Sequence, residues 1–132
     1  MSVTRTVLLV DDDKVMLTLM QRILERHGYR VVTATDGNVA LALAEREAPE
    51  LVILDLLMPQ RSGFTVVEKL KSYPNGGPRV IMITAEESDR HQVHARSLGV
   101  DDYVRKPFDA EQLLKSVRNL CPLQEEPPAK SS

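Results

Sequence analysis

Leu51-Val52-Ile53-Leu54-Asp55 decides the fold. Four apolar residues run into one carboxylate, with Leu56, Leu57, Met58 and Pro59 directly behind and Pro49 just ahead. An apolar run of that length between two prolines predicts a fully buried strand. Asp55 then stands where the strand leaves the core, and a carboxylate there must be paired or in use. Three other apolar runs end comparably. Val7-Leu8-Leu9-Val10 ends in Asp11, Asp12 and Asp13; Val80-Ile81-Met82-Ile83 ends in Thr84; Tyr103-Val104 leads through Arg105 to Lys106 and Pro107. In an open parallel sheet these ends lie along one edge, which is where such folds place their sites. One pocket holding carboxylates, a hydroxyl and an ammonium is therefore expected.

Helical patterns fill the gaps between these runs. After a first strand over residues 5–10, Asp13 is placed to cap a helix with Met16, Leu19, Met20, Ile23 and Leu24 on its apolar face, ended by Gly28. Arg30 to Ala34 reads as a β-branched second strand, followed after Asp36-Gly37 by a helix with Ala40, Leu41 and Ala44 inward. Ser62 and Gly63 open a third helix with Phe64, Val67 and Leu70 inward, and Pro74-Asn75-Gly76-Gly77-Pro78 is a loop. A fourth strand covers Arg79 to Ile83. The fourth helix, about Ser88 to Leu98, is polar, with Val93, Ala95 and Leu98 as its only apolar residues; its His91 and His94 suit a solvated face. A fifth strand, Asp102 to Arg105, precedes a last helix, Asp109 to Leu120, with Leu113, Leu114, Val117 and Leu120 on one side. Five β-α units predict an α/β fold with a doubly wound parallel sheet flanked by five helices.

Composition narrows the class. The chain of 132 residues suits one domain, with 42% hydrophobic and 27% charged residues. A net charge of −2 supplies no bulk attraction to nucleic acid or to an anionic membrane. The lone Cys121 excludes an internal disulfide and fits a reducing compartment. No apolar run is long enough for a membrane span, and too few apolar residues follow Arg5 for a signal peptide. A cytoplasmic protein is expected. Residues 1–121 form the expected domain. From Pro122 the composition turns to Pro, Glu, Lys and Ser, and residues 122–132 are expected to be a disordered tail or the start of a linker.

The chemistry follows from the charges. Two bare carboxylates about 4 Å apart repel by roughly 4 kcal/mol at an effective dielectric of about 20. Asp11, Asp12 and Asp55 together thus demand counter-charge. Lys106 supplies part, and a hard cation such as Mg²⁺ supplies the rest, since it takes carboxylate oxygens and tolerates a phosphate beside them. A carboxylate in such a setting can attack phosphorus and become an aspartyl phosphate.

Val10-Asp11-Asp12, Asp55 with Met58-Pro59 and Gly63, Thr84-Ala85, and Tyr103 ahead of Lys106-Pro107-Phe108 occur in this order over residues 5–121. Together they resemble the receiver domain of two-component response regulators. The resemblance implies a flavodoxin-like sheet of order 2-1-3-4-5. It implies Asp55 as phosphoacceptor and Mg²⁺ held by Asp12, Asp55 and the main-chain carbonyl of Leu57, with Asp11 acting through water. Lys106 would contact the phosphoryl group, on a peptide to Pro107 that is commonly cis in the family. Thr84 would be the switch hydroxyl and Tyr103 the aromatic that turns inward. The implied protein is not a metabolic enzyme but a signalling switch that assists its own phosphorylation and dephosphorylation. Its implied partners are a sensor histidine kinase or phosphotransfer protein upstream. Downstream, a protein or output domain would be reached through the fourth helix and fifth strand. No direct nucleic-acid contact is expected.

Where the family commonly reads Met-Pro-x-Met-Asp-Gly, this chain reads Met58-Pro59-Gln60-Arg61-Ser62-Gly63. The loop gains a cation at Arg61, which bears on kinase docking or donor access, while Ser62 still caps a helix. Leu57 and Glu86 occupy positions that tune phosphoryl lifetime in the family, and apolar Leu57 is expected to slow hydrolysis. Two rival functions compete with this reading. An aspartate-nucleophile, Mg²⁺-dependent phosphohydrolase of the haloacid dehalogenase type also combines Asp, Thr, Lys and Mg²⁺. Its nucleophile follows the first strand in an Asp-x-Asp pattern with a nearby Thr, which Asp11-Asp12-Asp13-Lys14-Val15 lacks. The other rival, a phosphorylation-independent scaffold receiver, does not need so complete a site.

Overall fold

The computed structural model describes residues 4–56, 58, 62–85 and 89–123. Within them, strands and helices alternate as β1 (Thr6–Val10), α1 (Lys14–Arg26), β2 (Arg30–Ala34), α2 (Gly37–Glu47), β3 (Leu51–Asp55), α3 (Gly63–Lys71), β4 (Arg79–Thr84), α4 (Asp89–Ser97), β5 (Asp102–Arg105) and α5 (Ala110–Leu120). All strand pairs are parallel, in the order β2-β1-β3-β4-β5. The chain order reverses between β1 and β3, so the crevice beyond their carboxyl ends is the fold's natural ligand position.

The sheet is apolar on both faces because alternate residues of each central strand point opposite ways. Val7, Leu9, Leu51, Ile53, Ile81 and Ile83 join Leu17, Met20 and Leu24 of α1 and Leu113, Leu114 and Val117 of α5 in one core. Leu8, Val10, Val52, Leu54, Val80 and Met82 join Ala40 and Ala44 of α2, Val66, Val67 and Leu70 of α3, and Ala95 of α4 in the other. Fully burying each large aliphatic side chain contributes about 1.5–3 kcal/mol.

Helix starts are fixed by short polar side chains. Asp13 accepts from the amides of Val15 and Met16, Asp36 from Val39, and Ser62 from Thr65. Asp109 and Gln112 form a reciprocal capping box at α5. Gly28 and Gly99 close α1 and α4 at φ +98° and +99°, a conformation other residues reach only under strain.

Several expected core positions differ. In α1, Leu17 is buried and Leu19 is 52% exposed, so the inward stripe is rotated from the expected one. In α3, Val66 joins the core, and Phe64 packs at its margin. Beyond α5, Pro122 accepts a hydrogen bond from Arg5 Nε at 3.1 Å and Leu123 packs against the second core, so the packed chain runs two residues past the expected boundary. The rest of the expected tail, residues 124–132, lies outside the described residues.

Candidate functional site

Register brings the site residues to one level. Val10 pairs with Leu54, so Asp11 and Asp55 emerge side by side at the ends of β1 and β3. Asp55 pairs with Ile83, so Thr84 follows one step further on β4, and Thr84 pairs with Arg105, directly before Lys106. Backbone hydrogen bonds continue the pattern past the strand ends: Leu56 N–H donates to the Ile83 carbonyl at 3.2 Å and Lys106 N–H to the Thr84 carbonyl at 2.9 Å.

Asp11 and Asp55 are 1% and 8% exposed, whereas Asp12 is open to solvent. One oxygen from each of these carboxylates lies within 4.8 Å of those of the other two. Lys106 Nζ donates to Asp11 Oδ2 at 3.1 Å and to Asp55 Oδ2 at 3.2 Å. The remaining Asp11 oxygen, Oδ1, accepts from Asp13 N–H at 2.9 Å. Burial dominates the Asp11 carboxyl and raises its pKa above the ordinary range, although Asp13 N–H and Lys106 pull the other way. Burial also works against the charge on Lys106, but Asp55 and Asp11 together outweigh it and raise its pKa.

The cluster suits a hard divalent cation. Its donors are carboxylate oxygens only, two of them shielded and one open to water. Mg²⁺ prefers such a set and retains water ligands of its own, whereas zinc favours nitrogen and sulfur. Receiver domains bind Mg²⁺ at an acidic pocket of this kind.

Thr84 is fully buried at the end of β4. Tyr103 pairs with Met82 on β5 and packs, half-buried, against the core shared by α2, α3 and α4, with its hydroxyl oxygen shielded from solvent. The aromatic thus sits inward, with β4 between its strand and that of Asp55. The Lys106–Pro107 peptide is cis, as the resemblance implies. Leu57, whose main-chain carbonyl is expected to bind metal, lies outside the described residues, as do Arg61 and Glu86.

The contacts made by two features escape the sequence. Gly63 N–H donates to the Leu56 carbonyl at 2.8 Å, and a Cβ on Gly63 would lie 2.6 Å from the Asp55 carbonyl oxygen, so glycine is required for α3 to start against the Asp55–Leu56 peptide. His91 and His94 do not simply face water. The His94 ring stacks on Phe64 at 4.3 Å between centroids and 30°, and His91 tilts against the same ring at 5.8 Å and 54°. The glycine is visible as part of the motif; the ring stack depends on α3 lying beside α4, which no local pattern reveals.

Comparison with known proteins agrees with this geometry. Residues 7–118 match the family model of the response regulator receiver domain. The chain is 38% identical over 115 residues to the probable transcriptional regulatory protein TcrX of Mycobacterium tuberculosis, covering 87% of this chain and 49% of that protein. It is 39% identical over 114 residues to the alkaline phosphatase synthesis transcriptional regulatory protein PhoP of Bacillus subtilis, covering 86% and 47%. The chain therefore spans about half the length of these relatives. The crystal structure of a CheY-like receiver domain protein from Methanospirillum hungatei superposes with a TM-score of 0.83 at 31% identity, covering 88% of this chain and 92% of that one. The chain belongs to the response regulator receiver domain family. As such it is a module of two-component signalling, a switch rather than a metabolic enzyme. No described helix is long and apolar enough to cross a membrane.

Proposed function

We propose that Asp55 is the phosphoacceptor of this receiver and that the chain supplies the groups for its own phosphorylation. The observation that carries this is the shared ammonium. Lys106 bridges Asp11 and Asp55, so the strand-end carboxylate that leaves the core is the one already facing a phosphate-binding cation. An Asp55 oxygen attacks phosphorus and a new O–P bond forms. The P–N bond to a donor phosphohistidine breaks, and its electron pair leaves with the imidazole nitrogen, which takes up a proton. Lys106 then exchanges a carboxylate partner for a phosphoryl oxygen. Thr84, poised one residue beyond Ile83, offers its hydroxyl to another.

Asp11, Asp12 and Asp55 are the residues that would hold Mg²⁺. When bound, it neutralises charge spread over the phosphoryl oxygens. Without it, three carboxylates against one ammonium would repel an incoming phosphate. Thr84 and Tyr103 then bias an existing equilibrium between two surface arrangements. The upstream partner is a histidine kinase or phosphotransfer protein. Output passes through α4 and β5 to a protein or an attached domain. The two half-matched relatives are both named transcriptional regulators, so a DNA-directed output in a longer chain is consistent with them. We retain a domain over residues 1–121, against which Pro122 and Leu123 also pack, with the rest to 132 as a tail or the start of a linker.

Incubation with Mg²⁺ and acetyl phosphate, read by intact mass, tests this. One added phosphoryl group on the wild type, absent from Asp55→Asn and absent with EDTA, is expected. An equal adduct on Asp55→Asn would refute the assignment, and steady release of phosphate from a simple phosphoester would favour the phosphohydrolase reading.

A further inference from the structure

α3 opens with two residues that face different ways. Gly63 lies on the acceptor peptide, where a Cβ would stand 2.6 Å from the Asp55 carbonyl oxygen and 2.9 Å from Leu56 Cα, and its N–H is bonded to the Leu56 carbonyl. Phe64, the next residue, stacks on His94 and tilts against His91, both on α4. The backbone of Asp55 and the rings of α4 are thus separated by one peptide unit.

Among the described residues, α4 contributes few apolar side chains to the core. Ala95 is its only fully buried side chain among the described residues, Val93 is 67% exposed, and the polar remainder cannot form an apolar stripe. Leu98 and Val100 anchor the chain only after the helix has ended. The Phe64–His94 stack is therefore one of the contacts that hold α4 against the domain. Aromatic pairs favour particular ring orientations, so such a stack is direction-sensitive. Close-packed contacts such as that of Gly63 on Asp55 leave no slack, so they transmit displacement rather than absorb it.

We propose that Gly63 and Phe64, with His94, couple the acceptor peptide to the position of α4, by a route separate from Thr84 on β4 and Tyr103 on β5. This rests on the reading of Asp55 as acceptor. Phe64 and His94 are positioning residues: they touch no reacting atom. When Asp55 is modified, a shift of the Asp55–Leu56 peptide moves the first turn of α3, and the ring stack carries α4 with it. The presence of imidazoles at 91 and 94 and a phenyl ring at 64 then sets how tightly α4 follows the site.

The test uses the full chain with Mg²⁺, with and without beryllofluoride, and reads amide hydrogen exchange in the peptide spanning residues 89–97. Wild type, Phe64→Leu, His94→Ala, the double variant and Asp55→Asn are compared, and acetyl phosphate adducts are quantified in parallel. Beryllofluoride is expected to change α4 exchange in the wild type. In Phe64→Leu and in His94→Ala that change should shrink by about fivefold, the size of coupling that aromatic pairs show in double-mutant cycles. The double variant should lose no more than the singles, with the adduct yield unchanged in Phe64→Leu, His94→Ala and the double variant and absent only from Asp55→Asn. A full α4 response in both single variants, or strictly additive losses, would overturn the proposal. Should Phe64→Leu fail to fold, His94→Ala, at an exposed position, decides alone. A wild type that shows no beryllofluoride response dependent on Asp55 would overturn the acceptor reading itself and this coupling with it. Intact binding with an unaltered α4 response would overturn only the stack.

Discussion

Lys106 Nζ donates to Asp11 Oδ2 at 3.1 Å across 95 residues of sequence. The sheet, not local sequence, makes this contact, because Lys106 follows β5 while Asp11 follows β1. It joins the outer part of the sheet to the crevice between β1 and β3. The same ammonium reaches Asp55 at 3.2 Å, so one cation bridges two shielded carboxylates and offsets their repulsion.

Lys106→Met should therefore cost more than a surface charge. Removing one partner from a buried ion pair costs about 3–5 kcal/mol, and the partial exposure of Lys106 reduces the expected loss to about 2–3 kcal/mol. Urea unfolding without Mg²⁺ measures it. Saturating Mg²⁺ should recover part of the loss, and the variant should form little aspartyl phosphate.

Mg²⁺ should stabilise the folded chain in a pH-dependent way. Burial raises the Asp11 pKa above its usual 3.8, so between that value and the raised one the folded state binds more protons than the unfolded state. Stability from this group then falls as pH rises through that window, and the penalty is complete above it. A cation competes with those protons. At 100 times its dissociation constant, Mg²⁺ should add about 2.7 kcal/mol. The gain in melting temperature should grow as pH rises from 3.8 through that window and level off above it. Asp12→Asn should reduce the gain while slightly raising the stability of the metal-free protein, because one repelling carboxylate is gone.

Gly63→Ala and Gly76→Ala separate two reasons for glycine. A methyl group at 63 would collide with the Asp55 carbonyl and Leu56 Cα, whereas at 76 nothing lies within 4 Å and only the φ of +85° is strained. Overpacking at 63 should cost about 1–3 kcal/mol and slow phosphorylation by acetyl phosphate. Strain at 76 should cost about 1–2 kcal/mol with the rate unchanged. Denaturant curves paired with adduct kinetics distinguish them.

Cys121 should be chemically quiet in the native protein. It caps α5, is 3% exposed, and burial, with the Glu50 carboxylate, pushes its thiol pKa up. Its carbonyl also accepts from the buried Tyr29 hydroxyl at 2.8 Å. A disulfide exchange reagent should modify it only after unfolding, because the thiolate is the reactive form. Rapid stoichiometric labelling under native conditions would contradict this.

Much of the arrangement is legible in the sequence because it rests on local pattern. The short unbroken apolar runs of β1, β3 and β4, rich in β-favouring residues, read as strands buried on both faces, and their terminal residues point to the site. α1 is harder. Met16, Leu17, Leu19, Met20, Ile23 and Leu24 support two overlapping stripes. Packing against Val7, Leu9 and Tyr29 selects Leu17 and leaves Leu19 in water. α4 is hardest. Its polar sequence reads as a solvated helix, and the Phe64 stack arises only once α3 lies alongside. The pairing of Lys106 with Asp11 has the same origin: charge balance requires a cation, and register chooses its partners.

Asp55, and not Asp11 or Asp12, is the proposed acceptor of the phosphoryl group. The most direct measurement is to phosphorylate the chain with acetyl phosphate and Mg²⁺, reduce with borohydride, and map peptides by mass spectrometry. Borohydride converts an aspartyl phosphate to homoserine, which marks the position permanently. Homoserine at residue 55, lost when EDTA is present from the start, is the predicted result. Homoserine at 11 or 12, or a phosphoryl adduct with no homoserine anywhere, would contradict it.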